Sequence, residues 1–474
     1  MKRSILLRQA LAAMVLVGAV AVPVAPAVSP VAAAATCTWC AGGEFHPLTP
    51  ARIFETRNSP TPINDVAPLG AKPLTPGTDT LFDIQLLGLG GVPASSSDVL
   101  AVAASITVVN PTREGHLGAY ASGSPSVNSV LNFRAFQNVP NLTILRPGAN
   151  GKVTILIHDG TALPGTVNVF IDVSGWWSTS SYDAGTPGNI DDERGARLEA
   201  PSTPGRIVDT RSGAPLGAGG DLAVTVRGAK VLNTNTTIVP DDPAVVGVLA
   251  NLTAVTPSAL TYLSAVPDAT SPGSPPATSN LNVVAGQTKA NLVLVPVGAD
   301  GKIHIFNSNG SVHVLIDIMG VLVTGRAEPT RLGRVVPLTA PFRVLDTRKA
   351  QWGAVPLGPG QAEDWSFASF ANSVVIGGAA VGKQSALLGN LTNASLTRQY
   401  PTQGVDPGYL TLCPGTCPVN AQGFPTYSNL NSTEAGPIPN MTLVPYGTNY
   451  AVRVFNPRGY AHYILDVSAV VLAD

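Results

Sequence analysis

Charge is scarce in this 474-residue chain: only 12% of residues are Asp, Glu, Lys or Arg, and 28 Lys+Arg face 29 Asp+Glu. A balance so thin and so even excludes a polyelectrolyte binder, so no nucleic-acid partner is expected. Aromatics are few, at 6%, and cysteines number four. Long amphipathic helical patterns are missing, and beyond the first 35 residues no apolar run approaches the roughly 20 residues that span a bilayer. The chain also lacks a Gly-x-Ser-x-Gly elbow, a His-Glu-x-x-His zinc helix and a Gly-x-x-x-x-Gly-Lys-Ser/Thr phosphate loop. These absences predict a protein that is not an enzyme and carries no cofactor or metal. Disorder is excluded in turn by a hydrophobic content of 45%.

What is abundant is punctuation, with 48 Gly and 42 Pro spread among β-branched runs. That pattern favours many short strands joined by turns. The N-terminus opens on Met1-Lys2-Arg3, continues through an apolar run from Leu11 to Val22 and reaches Ala32-Ala33-Ala34-Ala35. It reads as a signal peptide over residues 1–35, too short in its apolar part to remain as an anchor. The expectation is a secreted, extracellular protein, free or associated with the cell wall and not inserted in a membrane after cleavage. In an oxidising compartment Cys37/Cys40 and Cys413/Cys417 are expected as two local disulfides, with a four-thiolate zinc site or a redox pair as the weaker readings.

One block occurs three times. It opens with Arg52-Ile53-Phe54-Glu55-Thr56-Arg57, Arg206-Ile207-Val208-Asp209-Thr210-Arg211 and Arg343-Val344-Leu345-Asp346-Thr347-Arg348. A Pro-Leu-Gly follows each time, at residues 68–70, 215–217 and 356–358. Next comes a pair of asparagines nine residues apart: Asn132/Asn141, Asn282/Asn291 and Asn431/Asn440. Each block closes on an apolar strand holding one acid, Asp172, Asp317 or Asp466. The implied organisation is a β module over 44–178, a linker at 179–199, a second module over 200–324, a linker at 325–333 and a third module over 334–474. A period this long predicts separately cored beads on a string. Asn150-Gly151 and Asp300-Gly301 signal tight hairpins, and His304 and His313 could meet across one of them. The fold class expected is all-β: three tandem antiparallel β-sandwich or jelly-roll-like modules.

The recurring polar residues have two readings. Arg57, Arg211 and Arg348, with Asn132, Asn282 and Asn431, could form one ligand-gripping pocket per module, since guanidinium forks and amides suit carboxylates and sugar hydroxyls. Alternatively the arginines and acids satisfy each other and the amides bridge loops, because a buried charge needs a partner. That second reading is favoured for Glu55, Asp209, Asp346, Asp172, Asp317 and Asp466, taken as structural. A core or linker role is the default for each of the five tryptophans, with Trp176 and Trp352 the first candidates for exposed rings that would stack on sugar.

In combination, Arg-x-x-Asp-Thr-Arg, Pro-Leu-Gly, Ser-Asn-Leu-Asn at 279–282 and 428–431, Asp300-Gly301-Lys302 and Ile-Asp-Ile/Val resemble a repeat module common in secreted and cell-surface proteins of actinobacteria. Repeat 1 departs from it at Glu55 and at Asn128-Ser129-Val130-Leu131. That family has no established biochemical role and often accompanies hydrolase domains, so the resemblance implies secretion and modularity but no ligand. The functional expectation is a noncatalytic surface protein binding a cell-wall or extracellular polysaccharide, or a surface protein. A self-associating envelope or matrix component, and a secreted hydrolase with an unrecognised site, are the alternatives.

Overall fold

The computed structural model describes residues 41–57, 70–126, 128–180, 182, 195–270, 274–325, 330–376, 378–394, 408–432 and 437–474. The leader expected over 1–35, Cys37, Cys40, Pro68-Leu69 and most of the 179–199 linker lie outside the described residues. No described helix is long and apolar enough to cross a membrane.

The fold is all-β, and each repeat supplies the same two antiparallel sheets. In repeat 1 the inner sheet runs Phe45–Glu55, Gly165–Ser178, Val99–Val109, Val139–Leu145, and the outer sheet runs Thr80–Gln85, Lys152–Asp159, Gly115–Ala121, Leu131–Phe133. Repeat 2 centres its inner sheet on His313–Val323, Val245–Val255 and Lys289–Pro296, and repeat 3 on Tyr463–Leu472, Gln384–Asn393 and Ile438–Pro445, in the same order. One apolar cluster per repeat draws on both of its sheets, as Val102, Ile106 and Ile171 with Leu117, Val153 and Ile155 do in repeat 1.

The central strands read as nearly unbroken apolar runs because both of their faces are covered. In Val99–Val109, Val102, Ala104, Ile106 and Val108 face the repeat's own cluster, while Leu100 and Ala103 face a fourth cluster. That fourth core also holds Leu142 and Ile144 of repeat 1, Leu249, Leu292 and Leu294 of repeat 2, and Ala386, Leu388 and Leu443 of repeat 3. The separately cored beads expected from the long period are therefore corrected. Residues 37–474 form one compact unit, and the repeats close a ring around shared apolar side chains. Burial of this kind contributes about 25 cal/mol per Å², so the shared core ties the inner sheets to one another as each repeat's own core ties its two sheets.

Three local expectations are also revised. Residues 195–199, expected to be linker, enter the ring: Arg197–Glu199 pairs with Val321–Val323 and Ala196 bridges Phe45. The Asn150-Gly151 segment is a 3-10 turn that carries the chain from the inner-sheet strand Val139–Leu145 to the outer-sheet strand Lys152–Asp159, so it is no hairpin. Likewise His304 and His313 sit on strands of different sheets. His304 Nδ1 meets Asp221 Oδ1 at 2.8 Å and His313 Nδ1 meets Thr210 Oγ1 at 3.3 Å.

Candidate functional site: seams between repeats and an axial pocket

Side chains alternate along a strand, so the residues between those of each repeat's own core point toward the neighbouring repeat. Ser105, Asn251 and Asn390 hold one such position, directly opposite Asp172, Asp317 and Asp466 on the closing strand. Each aspartate is gripped by two guanidinium nitrogens: Arg52 on Asp172 at 2.7 and 3.1 Å, Arg206 on Asp317 at 2.7 and 3.1 Å, Arg343 on Asp466 at 2.8 and 2.9 Å. Burial pushes these three carboxyls above the usual range, and the facing arginines oppose it. Removing the arginine of such a pair strands a buried carboxylate, whereas each arginine also meets a second acid: Arg52 with Glu55 at 3.3 Å, Arg206 with Asp209 at 3.7 Å and Arg343 with Asp346 at 3.5 Å.

The second asparagine of each nine-residue pair completes the seam. Asn440 donates to Asn251 Oδ1 at 3.0 Å and accepts from the Leu292 N–H at 2.9 Å, while Asn251 donates to the Ser428 carbonyl. Repeat 3 thereby docks on repeat 2. Repeat 1 docks on repeat 3 in the same way, with Asn141 donating to Asn390 Oδ1 at 2.9 Å and accepting from the Met441 N–H at 3.0 Å. Asn390 donates to the Ser129 and Val130 carbonyls at 2.9 and 3.0 Å. Where repeat 2 meets repeat 1 the position of Asn251 and Asn390 is taken by Ser105, whose buried hydroxyl has no hydrogen-bond partner. A void of about 20 Å³ beside it is lined by Ser105, Asp172, Asn280 and Asn291 among others.

Beyond the Leu145 end of the inner strands, the first strands of the three repeats form a triangle. Gly43 pairs with Val335, Ala196 with Phe45, and the Leu198 N–H donates to the Gly333 carbonyl. No side chain fits at Gly43, where a Cβ would lie 2.0 Å from the Ser178 carbonyl oxygen. Inside the triangle Glu44 accepts from Arg197 at 3.1 Å and from Arg334 at 3.3 Å, all three buried. Burial raises the Glu44 pKa, opposed by both arginines. Each of these three residues precedes an equivalent apolar strand position (Phe45, Leu198, Val335), so the cluster marks the centre of the ring.

At the opposite end, two residues ahead of the seam asparagines, stand Val139, Lys289 and Ile438. They converge on a pocket of about 230 Å³ to which all three repeats contribute. Repeat 1 gives Glu114, His116, Asn132, Phe133, Arg134 and Gln137; repeat 2 gives Gln287 and Lys289; repeat 3 gives Asn431 and Pro437 through Pro439. His116 lies across the strand pair from His158, ring centroids 4.8 Å apart, and His158 Nδ1 meets Asp79 at 2.7 Å. Burial first, then the neighbouring His158, holds the His116 pKa down at about 4. Its imidazole is therefore neutral near pH 7, a wall group able to donate or accept. Among the described residues no group of three or more His, Cys, Asp or Glu is placed to hold a metal.

The candidates from sequence divide three ways. Asn132 and Asn431 reach the pocket, while Asn282 does not line it and instead donates to Ser279 Oγ at 3.3 Å. Arg57, Arg211 and Arg348 lie apart from it, paired with Glu55, Asp209 and Asp346 respectively. The arginine bonds hold the Asp209 carboxyl below the usual range, and Asp346 is lowered too, its arginine bonds outweighing burial. Trp176 is corrected: it is buried, with His46 stacked on it at 4.2 Å and Tyr182 against its edge, so its ring offers no open face. Trp352 is partly buried against repeat 3's own core. Cys413 and Cys417 form a disulfide. Sequence reasoning missed Lys289, Gln137, Gln287 and His116, none of which recurs in all three repeats. The available signal was a lysine two residues before a seam asparagine, where the other copies carry Val139 and Ile438.

No protein-family model and no curated protein matches the sequence. Among solved structures, the chain is similar to one described as "The Triple Jelly Roll Fold and Turret Assembly in an Archaeal Virus", at 11% identity, 90% of both chains and a TM-score of 0.16. It is similar also to the CBM22-1–CBM22-2 tandem domain of Paenibacillus barcinonensis Xyn10C, at 10% identity over 59% of this chain and 99% of that one, TM-score 0.15. A third likeness, to Sulfolobus Turreted Icosahedral Virus, has 12% identity over 90% of this chain and 100% of that one, TM-score 0.16. Likenesses at this level carry no inference about fold or ligand, and the seams and the axial pocket stand on their own geometry.

Proposed function

We propose that this is a secreted, noncatalytic surface protein whose three sandwich-like repeats form one rigid ring that holds a cell-wall or extracellular glycan in the axial pocket. The observation that carries the reading is the division of labour among polar residues. The recurring arginines, the aspartates and the second asparagine of each pair are spent on ion pairs and on the seams, whereas a polar cavity of about 230 Å³ is composite, lined by Asn132 and Asn431 together with residues not shared by all three repeats, such as His116, Gln137 and Lys289. Convergent amides, a lysine and a neutral imidazole at a concave site match what sugar hydroxyls need from a binding wall. Secretion rests on the leader read over residues 1–35 and on the resemblance to surface repeat modules. The ring replaces three weak sites per chain with one.

Retention of the full mature chain on purified cell-wall polysaccharide tests this. Asn132→Ala combined with Gln137→Ala should abolish retention, while Arg57→Ala and Arg211→Ala, at half-exposed guanidiniums away from the pocket, should leave it intact. The reverse pattern would replace the axial site with one site per repeat.

A further inference from the structure

We infer that the Cys413–Cys417 disulfide is a redox latch on one seam of the ring: oxidised, it shapes the repeat 3 loop that docks on repeat 2, and reduced, it lets that seam open while the seam between repeats 1 and 3 stays shut. The disulfide has no counterpart in the other repeats. Strand pairing aligns Leu117 with Leu131, Leu263 with Leu281 and Leu410 with Leu430, which puts Tyr120 and Val266 where repeat 3 has Cys413. From there the chain returns to Ser129, Ser279 or Ser428. The returning loop is longest in repeat 3, residues 414–427 against 121–128 and 267–278, and it alone of the three carries a cysteine.

The strand end before Cys413 is the surface on which this loop is moulded. The Leu412 carbonyl accepts from the Tyr427 hydroxyl at 2.9 Å, the Leu412 N–H donates to Asn429 Oδ1 at 2.7 Å, and Thr411 Oγ1 donates to the Tyr427 carbonyl at 2.9 Å. Between Tyr427 and Asn429 stands Ser428, which meets repeat 2: its carbonyl accepts from Asn251 Nδ2 and its N–H donates to Asp317. Cys413, Cys417 and Tyr427 are buried in the core that also holds Leu249, Leu292 and Leu294 of repeat 2. At the seam between repeats 1 and 3 the matching carbonyl, that of Ser129, accepts from Asn390 at the end of the shortest loop. A long loop loses more freedom on docking than a short one, and a cross-link at its start removes part of that freedom beforehand.

Reduction requires a dithiol. One of its thiolates attacks Cys417 Sγ, the less deeply buried sulfur, forming a mixed disulfide and expelling the Cys413 thiolate; its second thiol then displaces Cys417 and closes the reductant's own disulfide. Two electrons pass to the cysteines, and two protons complete their thiols. Both sulfurs are buried, so the attack needs the loop to lift from repeat 2. Closure of the seam therefore protects the disulfide, and by linkage the disulfide favours closure of the seam.

The test uses the full mature chain. Reduction of Cys413–Cys417 by dithiothreitol is followed by alkylation and peptide mapping, which separates this pair from Cys37 and Cys40. Asn251→Ala, which removes the donor to Ser428, should speed the reduction about tenfold, the size of one buried hydrogen bond. Asn390→Ala, at the seam without a cysteine, should not. Equal rates in the two variants overturn the latch. In the Cys413→Ala/Cys417→Ala double variant, hydrogen exchange should rise about tenfold at the Leu292 N–H, which donates to Asn440, and stay as in the parent chain at the Met441 N–H, which donates to Asn141. Exchange that rises at both amides, or at neither, overturns the proposal, and this reading stands even where Asn251→Ala fails to fold.

Discussion

Two seams of the ring are closed by an asparagine facing an asparagine, and the third by a serine. Where repeat 3 meets repeat 2, and repeat 1 meets repeat 3, Asn251 and Asn390 each bond both the incoming asparagine and a carbonyl of the incoming loop. Where repeat 2 meets repeat 1, Ser105 is too short to reach across, its hydroxyl is unpaired and a small void remains. The difference teaches what the repeated motif is for. The asparagines kept at these positions are those that bind one copy to the next, and where one is replaced by serine a cavity is left at the seam while each repeat keeps its own core.

The largest effect should come from Asp317→Ala. Asp317 is fully buried, holds Arg206 through both oxygens and accepts the Ser428 N–H of the neighbouring repeat. Losing that pair, with Arg206 left only Asp209 at 3.7 Å, should cost about 3 kcal/mol, read by chemical denaturation. Asp172→Ala at the serine seam should cost less, and equal losses would break the comparison.

Next in size, Asn440→Ala removes three hydrogen bonds from a buried amide and should cost about 2–3 kcal/mol. Asn291→Ala, facing Ser105, should cost about 1 kcal/mol less by the same measurement.

Acid should act on the pocket before it acts on the seams. The His116 pKa is lowered from 6.5 to about 4, so between those values the unfolded chain binds a proton that the folded chain refuses. Stability is then full above pH 6.5 and falls as pH drops toward 4, by about 1–2 kcal/mol once the partly wet pocket is discounted. His116→Asn should flatten that slope in melting temperature against pH. Persistence of the slope would assign it elsewhere.

The smallest effect is a gain. Ser105→Asn supplies the missing amide and fills the void, so the fold should be stabilised by about 1 kcal/mol. Combining it with Asn291→Ala should erase the gain, the signature of a pair acting across one seam.

Strand content and the threefold repetition were legible in sequence, because β-branched runs and turn residues are local signals and the nine-residue asparagine spacing recurs. The Arg–Asp pairing was legible too, since a charge between Ile and Val has to find a partner. Closure of the ring was not. Leu100 and Ala103 read as ordinary strand residues, and only their unbroken apolar neighbours hinted that a second face was covered. Trp176 keeps the core role that is the default for a tryptophan and loses its candidacy as a sugar contact, because His46, from a strand over 120 residues earlier, is laid across it. Of the pocket, Asn132 and Asn431 were legible because they recur, whereas His116, Gln137, Gln287 and Lys289 were not, because they are not shared by all three copies.

Gly43 hydrogen-bonds with Val335 across nearly 300 residues of chain, and Phe45 with Ala196. The first strand of repeat 1 therefore has no finished resting place until repeat 3 has been made and folded. Contacts so distant along the chain are the slow ones to form. A ring assembled from one polypeptide stays open, with the leucines of its central core wetted, until the final repeat arrives, and this waiting state is the one most exposed to aggregation and proteolysis.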